Sequence, residues 1–347
     1  MRFYTQQHSF YCGVDLHART MYVCILSAEG EFVIQRNIPT RPERFLKLIA
    51  PYRQGMVIGV ECMFSWYWLA DLCAQEKIPF VLGHALYMKA VHGGKAQNDR
   101  LDAQKIAAIL RGGMFPMAYV YPAKMRATRD LLRRRTFLVR QRAELLAHVQ
   151  NTNIQYNFPP IGKKIGYESN REGVAERFAD PSASKSVGTD LELITFYESV
   201  LSKLERDIKT SAKEHDQQAL TLLLSVYGIG PILSLVILYE IHDVNRFPRV
   251  QNLLSYCRLV KCRKESVGKS KGGGGGKIGN AHLKWAFSEV AVRFVSRNPK
   301  AEKFFQRLVR KHGKGKALSV LATKLARAVY YVLKRERIFD MKKFLTA

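Results

Sequence analysis

The chain has 347 residues, 47% of them hydrophobic, so it is long enough for two or three domains with cores of their own and is not a disordered tail. It carries 56 lysines and arginines against 29 aspartates and glutamates, and its formal net charge is +27. This excess opposes compaction unless a polyanion offsets it, and it predicts nucleic acid as the partner. A membrane surface is disfavoured, because no strongly amphipathic basic helix stands alone.

The cysteines and the apolar segments indicate a cytoplasmic protein. Six cysteines are scattered without a Cys-x-x-Cys pair, which argues against a zinc site. Several fall inside apolar runs, as reduced and buried thiols do. The first residues lack the apolar core of a signal peptide. The longest apolar run, residues 229–239, contains Gly230 and Pro231 and is too short to span a bilayer.

The first 90 residues alternate short strand-like runs with helical patterns. Residues 11–26 are rich in β-branched and aromatic side chains and predict two strands around a turn at residues 17–19. Further strands are expected at residues 31–38, 56–61 and 79–82, and helices at residues 42–52, 65–76 and from Asp99 onward. This order predicts a mixed sheet with helices on its faces, which is an α/β domain.

Four acids stand at the ends of these elements. Asp15 lies near the end of the first strand and Glu61 ends a later one, where an unpaired carboxylate is costly. Asp99 and Asp102 are three residues apart at a helix start, so they share one face with their Cβ atoms roughly 5–6 Å apart. Taken singly, such acids could cap a helix or favour its dipole. Together, in so basic a chain, they predict a Mg²⁺ or Mn²⁺ site for displacement at phosphorus.

The sequences around these acids resemble a known family. Gly-Val-Asp15-Leu-His, Gly-Val-Glu61-Cys and Asn-Asp99-Arg-Leu-Asp102-Ala are similar to the RuvC-like, ribonuclease-H-like domain of the DEDD transposases of bacterial insertion sequences. The pilin-gene invertase belongs to the same family. The resemblance covers roughly residues 10–115, and the third and fourth acids are its most specific part. It implies a catalytic domain at residues 1–118 in which the four acids bind metal and take part in catalysis.

A basic helical region is expected at residues 119–215. Residues 124–149 carry leucine at every seventh position (131, 138 and 145), which leaves a broad cationic face. Acids that could balance this face are scarce, so phosphate contacts are favoured over a merely solvated surface. The candidates are Arg126, Arg129, Arg133 and Arg134. Residues 157–189 are rich in Pro, Gly, Ser and charge and predict a linker or irregular insertion.

Further along this region, apolar residues recur at the 3-4-3-4 spacing of a coiled-coil seam. The seam consists of Ile194, Tyr197, Leu201, Leu204 and Ile208. The spacing fits packing within one chain and a contact between two copies equally well.

The C-terminal region, residues 216–347, is expected to be mainly α-helical. Residues 222–241 predict two helices around a Gly-Ile-Gly-Pro turn, which resembles a helix-hairpin-helix. In that motif the turn amides and the following helix N-terminus face a DNA phosphate, so Gly228 and Gly230 are candidate contacts. A plain helical hairpin is the alternative. The basic helices of residues 295–347 would complete the nucleic-acid surface.

A glycine-rich segment in this region carries the candidate nucleophile. Residues 265–280 include five consecutive glycines, and their Gly-Lys-Ser lacks the strand and glycine spacing of an NTPase phosphate loop. In the family that the chain resembles, a serine precedes a Gly/Lys-rich loop that closes on Lys-x-Gly-Asn and a helix. The resemblance implies that Ser266 is the nucleophile, with Ser270 as the alternative because Val267 and the glycine tract depart from the family pattern. The candidate phosphate contacts here are Lys269, Lys271, Lys277 and Asn280.

These features predict a DNA recombinase or transposase of an insertion sequence, which cuts and rejoins DNA through a covalent phosphoserine intermediate. The resemblance also implies double-stranded donor and target DNA, a structured guide (bridge) RNA, and a homodimer or homotetramer with a composite site. Two alternatives stay open: a metal-dependent nuclease or junction resolvase without a serine adduct, and a nucleic-acid-binding protein without catalysis. The expected architecture is an α/β RuvC-like domain, a long helical and coiled-coil middle, and a mainly α C-terminal domain.

Overall fold

The computed structural model describes residues 2–91, 98–212, 216–260, 265–267, 269–270, 278–296 and 298–346. Within these ranges, the side chains of residues 90, 91, 265, 266, 269 and 270 are not described. The chain folds as two compact units, Met1–Lys124 and Met125–Ala347. The first unit is a mixed α/β sheet domain and the second is mostly helical, which confirms the predicted fold class at this level.

A five-stranded sheet forms the centre of the first unit. The strands of this unit are β1 (Phe3–Tyr4), β2 (Phe10–Leu16), β3 (Thr20–Ser27), β4 (Phe32–Pro39), β5 (Met56–Glu61), β6 (Phe80–Gly83) and β7 (Phe115–Pro116). The sheet has the order β4-β3-β2-β5-β6, with an antiparallel meander of β2, β3 and β4, whereas β5 runs parallel to β2 and to β6. The strands β1 and β7 form a separate antiparallel pair, which the sequence analysis missed because each is only two residues long.

Helices cover both faces of this sheet. They are α1 (Pro42–Ile49), α2 (Tyr67–Gln75), α3 (Ala85–Val91) and α4 (Asp99–Arg111). Alternate residues of each strand enter different cores, as the two-residue period of a strand requires. The core with α1 and α2 includes Val14, Val23, Phe45, Ile49 and Leu69. The core with α4 includes Tyr11, Cys24, Leu26, Ala103 and Leu110.

The helix α4 packs against the sheet at a glycine. A Cβ atom on Gly13 of β2 would lie 2.3 Å from the carbonyl oxygen of Ala103 and 2.4 Å from the amide nitrogen of Ala107. On the neighbouring strand β5, a Cβ on Gly59 would lie 2.9 Å from the side chain of Leu110 and 3.1 Å from that of Phe115. Gly13 therefore lets the helix backbone approach the sheet more closely than any side chain would allow, and Gly59 leaves room for the side chains that pack beside it.

The second unit is built from helices. They are α5 (Ala123–Gln155), which begins at the boundary, α6 (Pro181–Ala212), α7 (Gln217–Leu224), α8 (Pro231–Ile241), α9 (Val250–Tyr256), α10 (Ala281–Val295), α11 (Pro299–His312), α12 (Lys314–Arg335) and α13 (Met341–Thr346). Two short strands, β8 (Glu265–Ser266) and β9 (Lys269–Ser270), form a hairpin. The helix α8 is central: every residue from Leu233 to Ile241 is buried. It packs in one core with α7, α9, α10 and α12.

The helices α5 and α6 run antiparallel along one another. Three pairs join them: Arg135 with Glu205, Arg142 with Glu198, and His148 with Asp190. The residue numbers of the α6 partners decrease as those of the α5 residues increase, as they do between antiparallel helices. The predicted seam packs inside the chain, because Ile194, Leu201 and Ile208 are buried. The spacing was compatible with packing within one chain and with a contact between two copies, and the structure shows packing within one chain.

The predicted irregular insertion is shorter than expected. Residues 157–180 are irregular apart from two short 3₁₀ turns. Residues 181–189, which were predicted to belong to the insertion, form the first part of α6. Asp180 caps this helix by accepting hydrogen bonds at 2.9 Å from the amides of Ser182 and Ala183, and Pro181 occupies its first position. The error arose because Asp, Pro and Ser are typical both of loops and of helix N-termini.

The described cysteines are mostly buried. Cys12, Cys24, Cys73 and Cys257 are buried free thiols, in agreement with the sequence analysis, whereas Cys62 is exposed. Cys262 lies outside the described residues. Among the helices of the described residues, none has the length and the apolar character needed to cross a bilayer.

Replacing Gly13 with alanine should destabilise the first unit. The new methyl group would meet the backbone of α4, which cannot move aside as a flexible side chain can, and overpacking of this kind costs about 1–3 kcal/mol or more. Thermal unfolding followed by circular dichroism measures the effect. Gly112→Ala is the matched control, because Gly112 has φ −71° and a Cβ there would lie 3.3 Å from its nearest neighbour, Ala108. Equal midpoints for the two variants would contradict the close packing at Gly13.

Candidate active site and metal centre

Two of the predicted acids come from neighbouring parallel strands. Val14 of β2 is paired with Val60 of β5. Asp15 and Glu61, the next residue of each strand, are therefore neighbours at the ends of these two strands. Both acids share the strand parity of the glycines beneath α4 and therefore point to the α4 face. Both are partly buried. The strand ends thus place two carboxylates side by side under the start of α4.

The other two acids occupy the first turn of α4. The side chain of Asn98 caps this helix by accepting a hydrogen bond from the amide of Leu101 at 2.8 Å, which fixes where the helix begins. Asp99 and Asp102 follow directly. Lys105, one turn further on, lies 3.3 Å from Asp102 and holds its carboxylate. Because α4 rests on Gly13, its first turn lies above Asp15.

His17 joins the two groups of acids. Its Nε2 atom lies 3.2 Å from a carboxylate oxygen of Asp15 and 3.6 Å from one of Asp99. One ligand atom from each of these three residues lies within 4.8 Å of the others, so the group could hold a metal ion. His17 was not predicted as a site residue from the sequence. A signal existed, since His17 follows Asp15 at the two-residue spacing that keeps strand side chains on one face.

The electrostatics link all four acids. Burial raises the pKa of Asp15, and the charges of Asp99 and Asp102 raise it further, while His17 opposes them. Burial also raises the pKa of Glu61, with Asp15 and Asp102 adding to the effect. Each acid is therefore within electrostatic reach of another, and their joint role as metal ligands stays a prediction. Clustered carboxylate oxygens suit hard divalent cations such as Mg²⁺ and Mn²⁺, whose charge would offset the repulsion.

The candidate nucleophile lies in the hairpin of β8 and β9. Ser266 is paired with Lys269, and Glu265 with Ser270, so the two candidate serines occupy opposite strands of one hairpin. Val267 in the connecting turn has φ 53°, a left-handed conformation that is rare for a β-branched residue. Lys271 and Lys277 lie outside the described residues. We call residues 261–279, which include this hairpin, the serine segment.

Some predicted nucleic-acid contacts are engaged inside the second unit. Arg129 is buried, and both Arg129 and Arg133 donate hydrogen bonds at 2.7–3.1 Å to the carboxylate of Glu240 on α8. Arg126 is buried as well. Arg129 and Arg133 are thus paired with an acid more than 100 residues away in sequence, and the role of these arginines as phosphate contacts stays a prediction. Arg134 is exposed, and its guanidinium lies 5.6 Å from the ring of Phe137.

The glycines of the predicted hairpin differ in their surroundings. Gly228 has φ 89°, and a Cβ there would lie 2.8 Å from the amide nitrogen of Phe294 on α10, so this glycine serves internal packing. Gly230 caps α8, and a Cβ there would meet nothing within 4 Å. Asn280, the last of the predicted contacts, is buried and bonded to Glu240 at 2.7 Å. Of these three residues, Gly230 alone has open space beside it.

Family comparisons agree with this arrangement. Residues 12–156, which contain the four acids, match a transposase model of the IS110 DEDD type. Residues 220–306, which contain Glu240 and the serine segment, match the model described as the transposase IS116/IS110/IS902 family. The chain is an insertion-sequence DNA transposase. Each of its two units thus carries most or all of one family match. No curated protein matches the transposase.

The buried carboxylate of Glu240 should dominate the acid stability of the second unit. Burial alone raises the pKa of Glu240, but the hydrogen bond from Arg133 and the charges of Arg129 and Arg133 outweigh it and lower the pKa from 4.5 to about 2. Because the folded-state pKa is depressed, the carboxylate stabilises the fold above about pH 4.5, and this contribution is lost as the pH falls towards 2.

Glu240→Gln should therefore be less stable than the unaltered protein by about 3–5 kcal/mol at pH 7, since it leaves buried arginine charge uncompensated. The difference should narrow as the pH falls from 4.5 towards 2. Urea unfolding across this pH range measures both effects. Glu192→Gln, at an exposed position of α6, is the control and should change little. A constant difference at all pH values would contradict the depressed pKa.

Proposed function

We propose that the transposase cuts and rejoins DNA through a covalent phosphoserine intermediate, with Ser266 as the nucleophile and Mg²⁺ or Mn²⁺ held by the four acids. The observation that carries the proposal is the gathering of these acids, from two strands and one helix, on one face of the sheet. Clustering four carboxylates so closely costs free energy unless a cation offsets the repulsion between their charges. The serine assignment rests on the family resemblance of the serine segment.

The residues of the first unit have distinct roles in this proposal. Asp15 and Asp99 would bind the metal together, and His17 would orient both carboxylates through its contacts at 3.2 and 3.6 Å. Glu61 and Asp102 would complete the ligand set, with Lys105 fixing the orientation of Asp102. When bound, a divalent ion polarises a phosphoryl oxygen and offsets the negative charge that develops during displacement.

The serine step conserves the phosphodiester bond energy. The hydroxyl oxygen of Ser266 bonds to phosphorus while the bond from phosphorus to one bridging oxygen of the DNA breaks. The hydroxyl proton passes, directly or through solvent, to the departing alkoxide, so atoms and charge balance. Rejoining is the reverse reaction with the hydroxyl of a second DNA end, and it needs no ATP. Lys269, Lys271 and Lys277 are proposed to stabilise the phosphate during both steps.

The partners follow from the family and from the charge. A DNA transposase acts on double-stranded donor and target DNA, and the net charge of +27 suits such a polyanion. A structured guide RNA that selects the target, a homodimer or homotetramer with a composite site, and action in the cytoplasm are further parts of the proposal. They rest on the resemblance, and the charge is compatible with RNA as well as DNA.

A metal-dependent nuclease is the second candidate, and one observation favours it. All four acids lie in the first unit, whereas Ser266 lies in the second. Hydrolysis by a metal-activated water would need the first unit alone, so Ser266 would be dispensable. The two mechanisms therefore differ in whether DNA becomes linked to the protein.

The metal assignment predicts that Asp15→Asn abolishes Mn²⁺ binding and strand cleavage. In the absence of metal, this variant should be at least as stable as the unaltered protein, because it removes a carboxylate that is destabilised by burial and by Asp99 and Asp102. Calorimetric titration with Mn²⁺ and thermal unfolding measure the two effects. Asp207→Asn, at an exposed position of α6, is the control. Unchanged Mn²⁺ affinity in the Asp15→Asn variant would remove Asp15 from the ligand set.

The nucleophile assignment predicts that Ser266→Ala binds DNA and Mn²⁺ normally but forms no covalent adduct. Labelled DNA that stays with the protein in a denaturing gel reports the adduct, and mass spectrometry of the linked peptide locates it. Ser270→Ala is the matched control and should form the adduct. An adduct at Ser270 would move the assignment by four residues, and cleavage without any adduct in the unaltered protein would favour the nuclease.

A further inference from the structure

The helix α11 carries its basic residues on one side. At about 100° per residue, five of its cations fall within an arc of about 100° around the helix axis. The one acid of this helix, Glu302, lies about 130° away from the middle of that arc. All five cations are exposed, and we call them the cationic stripe: Lys300, Lys303, Arg307, Arg310 and Lys311.

The opposite side of α11 determines how the cationic stripe is presented. Ala301 and Phe305 are buried in the core that α11 shares with α12, and Val309 packs against the same core. Asn298 caps the helix by accepting a hydrogen bond from the amide of Ala301 at 3.2 Å. At the other end, the amide of Gly313 donates to the carbonyl of Val309 at 2.8 Å. The helix is therefore fixed by its apolar side and by both ends, and the cationic stripe faces solvent.

The charges of the cationic stripe are not balanced within the second unit. Among the residues that the structure describes, no acid forms an ion pair with any of the five cations. Arg307 contacts the ring of Phe304 at 5.9 Å, which leaves its charge uncompensated by an anion. The helix α6 of the same unit differs, because exposed acids such as Glu192 and Asp207 stand among its exposed bases. A solvated helix of this protein thus mixes both signs, whereas α11 presents one.

The cationic stripe opposes the stability of its own helix. Lys303 and Arg307, and also Arg307 and Lys311, are four residues apart, where like charges repel one another along a helix. Lys300 lies in the first turn, where the backbone dipole disfavours a cation, whereas Arg310 and Lys311 lie in the last turn, which suits one. Helix stability therefore does not explain the first part of the stripe, and a polyanion outside the protein would offset its repulsion.

The spacing of the cationic stripe matches that of DNA phosphates. From Lys300 to Lys311 the helix rises roughly 16 Å at about 1.5 Å per residue, so the five charges are separated by about 4 Å along the axis. The phosphates of one strand of B-DNA are separated by about 3.4 Å along the axis of the duplex. The stripe contains no aromatic side chain of the kind that stacks on unpaired bases. These features favour the backbone of a duplex over a single strand.

We propose that the cationic stripe of α11 is a docking surface for the phosphate backbone of double-stranded DNA. The inference rests on the proposed function for the identity of the polyanion, but its residues are distinct from the candidate contacts on α5 and in the serine segment. Phosphate contacts position a duplex without reading its sequence. The stripe therefore supplies affinity for DNA of any sequence, and target selection lies elsewhere.

The salt dependence of DNA binding tests the cationic stripe. Each phosphate contact contributes about 0.9 to the slope of log affinity against log salt concentration for B-DNA. The quadruple variant Lys300→Gln/Lys303→Gln/Arg307→Gln/Arg310→Gln should lower the magnitude of this slope by about 3–4. It should also weaken binding at about 100 mM salt by at least about ten-fold, and equally for two duplexes of unrelated sequence. Fluorescence anisotropy of labelled duplexes over a series of salt concentrations measures both quantities.

A matched control removes the same charge from α6. The variant Lys185→Gln/Lys203→Gln/Arg206→Gln/Lys209→Gln changes four exposed cations of the same unit that stand among acids. It has the same net charge as the α11 variant. If the stripe is the docking surface, this control should change the slope by less than about 1.

A double variant keeps the test valid if four substitutions in α11 disturb the fold. Lys300→Gln/Lys303→Gln removes unfavourable charge near the start of the helix, so it should unfold at the same temperature as the unaltered protein or higher. Its slope should still fall by about 2. Lys300→Arg/Lys303→Arg keeps both charges and should retain the full slope.

The outcomes separate this inference from the proposed function. If the unaltered protein binds no duplex DNA, the proposed function fails and the inference fails with it. If DNA binds and the α11 and α6 variants lower the slope equally, the effect is one of net charge and the inference alone is wrong. An unchanged slope in the α11 variants also overturns it, as does a loss confined to a structured RNA. A smaller slope for DNA in the α11 variants only, at equal thermal stability, supports it.

Discussion

Four carboxylates are held together in the first unit against their mutual repulsion, and the packing of α4 on Gly13 provides the necessary constraint. The cost of clustering these charges shows in the raised pKa of Asp15 and Glu61. The apolar contacts between α4 and the sheet offset this cost, because the helix buries Ala103, Ile106, Ala107 and Leu110. A helix held further from the sheet would have weaker packing and would carry Asp99 and Asp102 away from the strand acids.

In the second unit, buried positive charge rather than clustered negative charge has to be compensated. Here two arginines need an anion inside the protein, and Glu240 supplies it from the most deeply buried helix. This internal pairing does not weaken the argument for a polyanionic partner. The group of Glu240 and its two arginines carries a net charge of only +1, so almost all of the net charge of +27 lies on other residues. The pairing only changes which arginines of α5 are available to nucleic acid.

The sequence was most informative where a local pattern determines the structure. Strands β2 to β6 and the acids at their ends could be predicted, because apolar alternation and strand-end position are properties of short segments. His17 was overlooked, although its spacing from Asp15 gave a signal. The pairing of Glu240 with Arg129, Arg133 and Asn280 could not have been predicted, since it joins residues from distant helices. The start of α6 was obscured because a capped helix and a loop use the same residues.

The cysteines add a consequence for experiments on the metal centre. Burial raises the pKa of Cys24 to about 11 and that of Cys73 to about 12, and it raises the pKa of Cys12 and Cys257 as well, so these thiols resist alkylation. Cys62 is exposed and directly follows Glu61. With Cys262 replaced by serine, a spin label or fluorophore would therefore attach next to the carboxylates while the cores stay unmodified. The transposase thus carries a natural attachment point from which metal and DNA could be observed as they arrive.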